Sequence, residues 1–337
     1  MINLYSDTQT RPTEEMRRAI ATADVGDEQR GQDPTTLRLQ ERVAELLGHE
    51  AGLFLPTGTM CNQISFRLHA RPGGDELILD RSAHPIVAEA GGPAQQAGLM
   101  IQPLDGEGGI FTAEQLRAAL RPQGDRYKPR SRLVSVEQTT NMGGGRVWPL
   151  EAIHDVLETA RAHALRAHMD GARLMNAVVA SGIEAARFAG GFDTAWLDFT
   201  KGLGAPVGAV LCGSRELIDE AWRWKQMVGG AFRQSGIVAA GCLFALDHHV
   251  ERLAEDHENA RVLADGLAEF GIEVVPPETN IVIFSVPDPD SFREQMARRS
   301  VELSGTFDGR VRAVTHLDVD RAGVEEALRA ARDVLLP

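Results

Sequence analysis

The chain has 337 residues, 43% hydrophobic and 25% charged, with a formal net charge of −13. That is enough chain to bury a core without disulfides or metals, as two domains or one large domain with an appendage. The acidic balance argues against a nucleic-acid partner, and the lack of any 18-residue apolar run argues against a membrane span.

Apolar spacing predicts a helix over 35–48 and a strand over 51–56, then a second strand, DELILD, over 75–80. A helix is expected over 112–121, a strand over 132–138, and a helix over 150–164, where Leu150, Ile153, Val156 and Leu157 share one face. Further strands are expected over 166–170, 194–200 and 207–213. Such alternation implies an α/β fold with a large, mainly parallel sheet, assigned to residues 26–250. The loops over 139–149 and 200–206 follow strand ends, the edge where open α/β sheets bind ligands. Beyond that region a long helical stretch over about 236–269 leads into strands over 272–276, 280–286 and 311–317 and helices near 290–299 and 321–335. This reads as a small α+β domain, residues 251–337.

Cys61, Cys212 and Cys242 are far apart and odd in number, which suggests reduced thiols in a cytoplasmic protein. MINLYSDTQTRP has no basic segment followed by an apolar one, so no signal peptide is expected. No metal site is read from the sequence.

Of 35 basic residues only Lys128, Lys201 and Lys225 are lysines, so any chemistry needing an amine has three candidates. Lys201, in DFTKGLGAPVGAVLCG, follows an apolar run and precedes a Gly/Pro turn. A Schiff-base lysine needs such a rigid strand end facing open space. Taken alone, a solvated turn lysine is the commoner reading. Asp170, in AHMDGAR, ends another apolar run and is placed to sit beside a pyridine nitrogen, where a carboxylate keeps the ring protonated. By itself it reads better as a helix cap. Backbone N–H groups at Gly58, Thr59 and Met60, with the Thr59 hydroxyl, open a helix and suit a phosphate, although neither GxxxxGK[ST] nor GxGxxG is present. His84, in DRSAHPIVAEAGG, follows a strand and can stack on a ring or contact a substrate hydroxyl.

The strings SDTQTRPTEEM, LFLPTGTMCNQ, HPIVAEAGG, AHMDGARLMNA, FTKGLGAPVGAVLCG, GGAFRQSGIVAAG and RAVTHLDV resemble, in that order, low-specificity L-threonine aldolases. The resemblance spans residues 6–319. It implies the fold-type-I architecture of pyridoxal 5′-phosphate (PLP) enzymes related to aspartate aminotransferase, with segment 1–25 joining the small domain. It also implies a homodimer or homotetramer with active sites at subunit interfaces. By position, Lys201 would form the internal aldimine, Asp170 would hold the pyridine nitrogen and His84 would stack on the ring. Gly58, Thr59 and Arg233 would hold the phosphate. Ser6, Arg173 and Arg312 would clamp the carboxylate of the amino-acid substrate. The implied reaction splits a β-hydroxy-α-amino acid into glycine and an aldehyde. Racemisation, dehydration or β-elimination on the same scaffold are the alternatives.

Four positions depart from the family pattern. Thr140 stands for a histidine expected to face the substrate hydroxyl, Arg30 for a tyrosine, and Ala88 for a bulky aromatic. Gln226 stands for a lysine, with Lys225 one position earlier. Added charge at Arg30 and added space at Ala88 suggest a substrate side chain larger than that of threonine, or an anionic one.

Overall fold

The computed structural model describes residues 1–71 and 73–336. Seven strands form the main sheet: β2 (Ala51–Leu55), β3 (Asp75–Asp80), β4 (Met100–Leu104), β5 (Arg130–Glu137), β6 (Arg166–Asp170), β7 (Thr194–Asp198) and β8 (Ala209–Gly213). Their order is β2-β8-β7-β6-β5-β3-β4, and β8 alone runs antiparallel to its neighbours. Every residue of β3, β7 and β8 is buried. Helices covering both faces of the sheet demand such continuous burial rather than alternation. Leu39, Val43, Phe54, Val134, Met169, Leu197 and Val210 belong to the largest core.

The second core joins both ends of the chain. Short strand β1 (Ile2–Asn3) pairs in parallel with β11 (Val301–Glu302). Leu4 is fully buried among Leu263, Val282, Phe284, Val311 and Val324. A four-stranded antiparallel sheet backs this core, in the order β12 (Ser304–Gly305), β13 (Val311–Val314), β10 (Ile281–Ser285) and β9 (Glu273–Val275).

Helices Glu14–Ala21 and Arg215–Met227 were not expected from the sequence, and two further features differ from that reading. The stretch over 236–269 is two helices, Gly236–His248 and Leu253–Glu269. The break falls where His249 Nδ1 meets the Leu203 carbonyl at 2.7 Å, a tertiary contact that helical periodicity cannot report. Strand β4, MIQPL, was not anticipated. Proline and glutamine suit it to the sheet edge it occupies, and they blur the apolar signal.

What matters for the site is strand direction. β2, β3, β5, β6 and β7 all run the same way, so their C-terminal ends meet at one edge. Glu137 and Asp170, the last residues of β5 and β6, are register partners there.

Candidate active site

That edge collects Asp170, Asp198, Lys201, His84 and the start of the Gly58–His69 helix. Asp170 is 2% exposed. One carboxylate oxygen accepts the Ala172 N–H at 3.0 Å in a turn, and the other accepts Asn62 Nδ2 at 2.8 Å. It therefore serves the local turn and also faces inward. Burial, followed by the charge of Glu137, pushes its pKa up to about 7 against the pull of His84, Asn62 and Lys201. A carboxylate so disfavoured as an anion would be relieved by a cation at its open side. A protonated pyridine nitrogen is such a cation.

Asn62 organises this region. Its Oδ1 accepts from Trp196 Nε1 at 2.8 Å and meets His168 Nε2 at 3.0 Å. The indole can only donate, which fixes the amide orientation, so Nδ2 must face Asp170 and Glu89, each at 2.8 Å. Burial lowers the His168 pKa to about 3, so that ring stays neutral. Glu89 also holds His84 Nδ1 at 2.9 Å, while Glu137 accepts the His84 backbone N–H at 2.7 Å. The His84 side chain keeps 34% exposure, leaving Nε2 as its available nitrogen. Burial opposes charge on His84, but the Glu89 hydrogen bond and the nearby carboxylates Asp170 and Glu137 outweigh it and raise its pKa.

The three lysines separate cleanly. Lys225 is fully buried, paired with Glu28 and stacked 4.9 Å from the Trp222 ring. Lys128 lies on an exposed loop. Lys201 Nζ bonds Asp198 at 2.7 Å, lies 5.9 Å from the Trp196 ring and keeps 18% side-chain exposure.

Trp196 links that amine to the candidate phosphate seat. A Cβ at Gly58 would fall 2.1 Å from the indole, so only glycine lets the helix start this close. Gly58 and Thr59 are the first residues of the helix and have no intrahelical partner for their N–H groups. Met60 differs from expectation, because its N–H donates to Thr57 Oγ1 at 3.1 Å. Thr57 is thus the cap, and two backbone donors remain for a phosphate.

The arginine clamp has a partner that the sequence hid. Arg173 grips Asp7 through Nε and a terminal nitrogen at 2.8 and 2.7 Å, and both side chains are buried. Burial alone would raise the Asp7 pKa, but Arg173, with help from Lys201 and Arg312, holds it far below the usual range. Arg173's other terminal nitrogen and Arg312 converge on Asn141 Oδ1, at 3.4 and 2.8 Å. Arg312 also donates to the Tyr5 carbonyl and Ser304 Oγ, both at 3.2 Å, while its Nε has no partner. Burial and the charge of Arg173 lower the Arg312 pKa to about 10. Ser6 Oγ accepts from the Thr8 backbone N–H and hydroxyl, capping the short turn that presents Asp7.

Of the remaining candidates, Thr140 is the chain neighbour of Asn141 and Ala88 that of Glu89, while Arg30 and Arg233 make no hydrogen bond to this cluster among the described residues. Thr140 is buried, its Oγ1 accepting the Arg146 N–H at 3.3 Å, and packs against Gly109 and Gly143. Arg30 is exposed at the end of a short turn that Glu28 ties to Phe232 and Lys225. Arg233 is exposed and donates to Gln29. Ala88 is exposed at the end of the His84–Val87 turn.

The chain matches the beta-eliminating lyase family over residues 3–289. It belongs to that family. A low specificity L-threonine aldolase from Escherichia coli O157:H7 is 41% identical, with 97% of each chain covered. A threonine aldolase from Leishmania major has the same fold at TM-score 0.85 and 18% identity, covering 99% of this chain and 100% of that one. A structure of SPT with a PLP internal aldimine shares the architecture at TM-score 0.74 and 17% identity, covering 99% of this chain and 87% of that one. The fold is therefore the α/β architecture expected, in a lyase of the threonine aldolase branch.

Several residues of this cluster were absent from the sequence reading: Asp7, Thr57, Asn62, Glu89, Glu137, Asn141, Trp196 and Asp198. Glu137 and Asp198 did carry a signal, each being an acid that ends a buried apolar strand. Asn62 carried none, since a polar residue inside a helix is ordinary until its neighbours are known.

Proposed function

We propose that the chain is a low-specificity L-threonine aldolase, splitting β-hydroxy-α-amino acids into glycine and an aldehyde with PLP, in a cytoplasmic homodimer or homotetramer. The observation that carries this reading is that Lys201, alone among the three lysines, stands partly exposed in the cluster of Asp170, His84 and the Gly58 helix start. When bound, PLP supplies an electron sink for the pair released as the Cα–Cβ bond breaks.

The chain's residues do the rest. Lys201 Nζ is the amine to which the cofactor attaches, and Asp170 keeps the ring nitrogen protonated. Gly58 and Thr59 offer backbone N–H groups to the phosphate at a helix start, where the dipole favours an anion. Arg312 and the terminal nitrogen of Arg173 that faces Asn141 orient the substrate carboxylate by two-point contact beside Asn141. Holding that carboxylate fixes which bond of the α-carbon is aligned for cleavage. His84 Nε2 accepts the β-hydroxyl proton, with Glu89 holding the ring by its other nitrogen. Thr140 takes no proton, having no basic group and a hydroxyl already engaged by Arg146. A preference for bulkier or anionic side chains is inferred from Arg30 and Ala88, both of which are exposed.

The test is product analysis with L-threonine, phenylserine and 3-hydroxyaspartate, paired with borohydride reduction of the PLP-loaded chain. Glycine plus aldehyde, and reduced cofactor on the Lys201 peptide, are expected. A keto acid with ammonia, an inverted amino acid, or labelling retained in K201A would overturn the assignment.

A further inference from the structure

Lys201 has an intimate partner that the reaction described above does not use. Asp198 ends β7 three residues earlier, and its carboxylate is 1% exposed. One oxygen receives Lys201 Nζ at 2.7 Å. The other receives the Thr200 N–H at 3.3 Å and its hydroxyl at 3.0 Å. Both ends of the pair are anchored. Asp198 is in register with Ala209 of β8, and the Lys201 carbonyl accepts from Thr10 Oγ1 and the Gly204 N–H, both at 2.9 Å.

The other ionisable groups around the pair come from four directions. Asp7 approaches from the N-terminal turn, Asp170 and Arg173 from the end of β6, Cys61 from the Gly58–His69 helix, and Cys242 from the Gly236–His248 helix. Asp7 is neutralised by its two-point grip on Arg173. Asp170 is held by Asn62 and the turn, and both thiols are buried and held in the neutral form. Among the described residues, only Asp198 forms a salt bridge with Lys201. A carboxylate this buried is costly without a cation, so it favours positive charge on whatever nitrogen stands 2.7 Å away.

We propose that Asp198 is a positioning residue that aims the Lys201 nitrogen and favours positive charge on its covalent link to the cofactor. It thereby sets the pH range over which that link is ready to react. This rests on the reading of Lys201 as the cofactor-bearing amine. No bond is made or broken at Asp198. Its contribution is the field at Nζ and the direction in which Nζ points.

The experiment is a pH titration of the visible absorbance of the PLP-loaded enzyme, comparing wild type with D198N and D198E. In D198N the midpoint between the protonated and unprotonated bands falls by about 1–3 pH units, the usual effect of removing an opposite charge at contact distance. D198E restores most of it. Borohydride still fixes cofactor to the Lys201 peptide in all three, which shows that the link itself survives. Should D198N fail to fold, D198S, smaller and uncharged, makes the same comparison. A midpoint unmoved in the folded, cofactor-linked neutral variant overturns the role of Asp198. Failure of wild type to retain reduced cofactor on Lys201 overturns instead the functional reading beneath it.

Discussion

Replacing Asn62 with alanine tests whether one buried amide holds the acid end of the site together. The substitution removes four hydrogen bonds at once and strands Trp196 Nε1, His168 Nε2 and one oxygen of Asp170, while the Glu89 oxygen keeps His84 Nδ1. At about 1 kcal/mol of net stabilisation per hydrogen bond, the loss is about 4 kcal/mol, and water entering the polar cavity offsets part of it. For a chain of this size, about 2 °C of Tm per kcal/mol gives a drop of about 6–8 °C in the cofactor-free protein. The loss has a second signature. The Asn62 hydrogen bond is one of the influences that lower the Asp170 pKa, so N62A makes that carboxylate still harder to ionise. A weakened anion holds a protonated ring nitrogen less well, so PLP affinity falls about tenfold. Calorimetry and equilibrium dialysis against PLP measure the two effects. A variant with unchanged Tm and unchanged PLP affinity would refute the claim that Asn62 positions Asp170.

Two further expectations concern the same groups. Because folding raises the Asp170 pKa to about 7, the folded chain holds a proton through the window from about pH 4 to pH 7 that the unfolded chain has lost. Stability of the cofactor-free protein therefore falls as pH rises through that window, by on the order of 4 kcal/mol from this group. D170N removes that part of the slope, as urea midpoints at several pH values will report, and equal slopes in both proteins would contradict it. K225M leaves Glu28 buried with the Phe232 N–H but without its cation. Removing one partner of a buried pair costs about 3–5 kcal/mol. Urea unfolding should show that loss while borohydride labelling of Lys201 is unaffected, and reduced labelling would show that Lys225 belongs to the chemistry after all.

Much of the candidate site was legible in the order of residues along the chain. Lys201 and Asp170 each end an apolar run, and a polar group there is either costly or useful. With only three lysines in the chain, that short inventory singled out one amine in a strand-end loop. The Gly58 turn was visible because a glycine opening a helix after a buried strand is a local pattern. Many helix and strand positions followed from periodicity, but helices Glu14–Ala21 and Arg215–Met227 were missed, as were the break at His249, where a tertiary contact ruled, and the edge strand β4, which needs little apolar content.

What the fold alone decided is which polar groups are satisfied by one another. Arg173 seemed a free carboxylate clamp in sequence, yet Asp7, 166 residues away, takes two of its nitrogens. Thr140 stands where a substrate-facing histidine was expected, and its backbone turn commits the hydroxyl to the Arg146 N–H. Asn62, Glu89 and Trp196 acquire their roles only when three strands and a helix meet at one edge. Periodicity records which side of an element is buried, a property of neighbours in sequence. Hydrogen-bond pairing between distant side chains depends on distances that only the closed sheet creates, so the sequence could nominate candidate groups but not the residues that hold them.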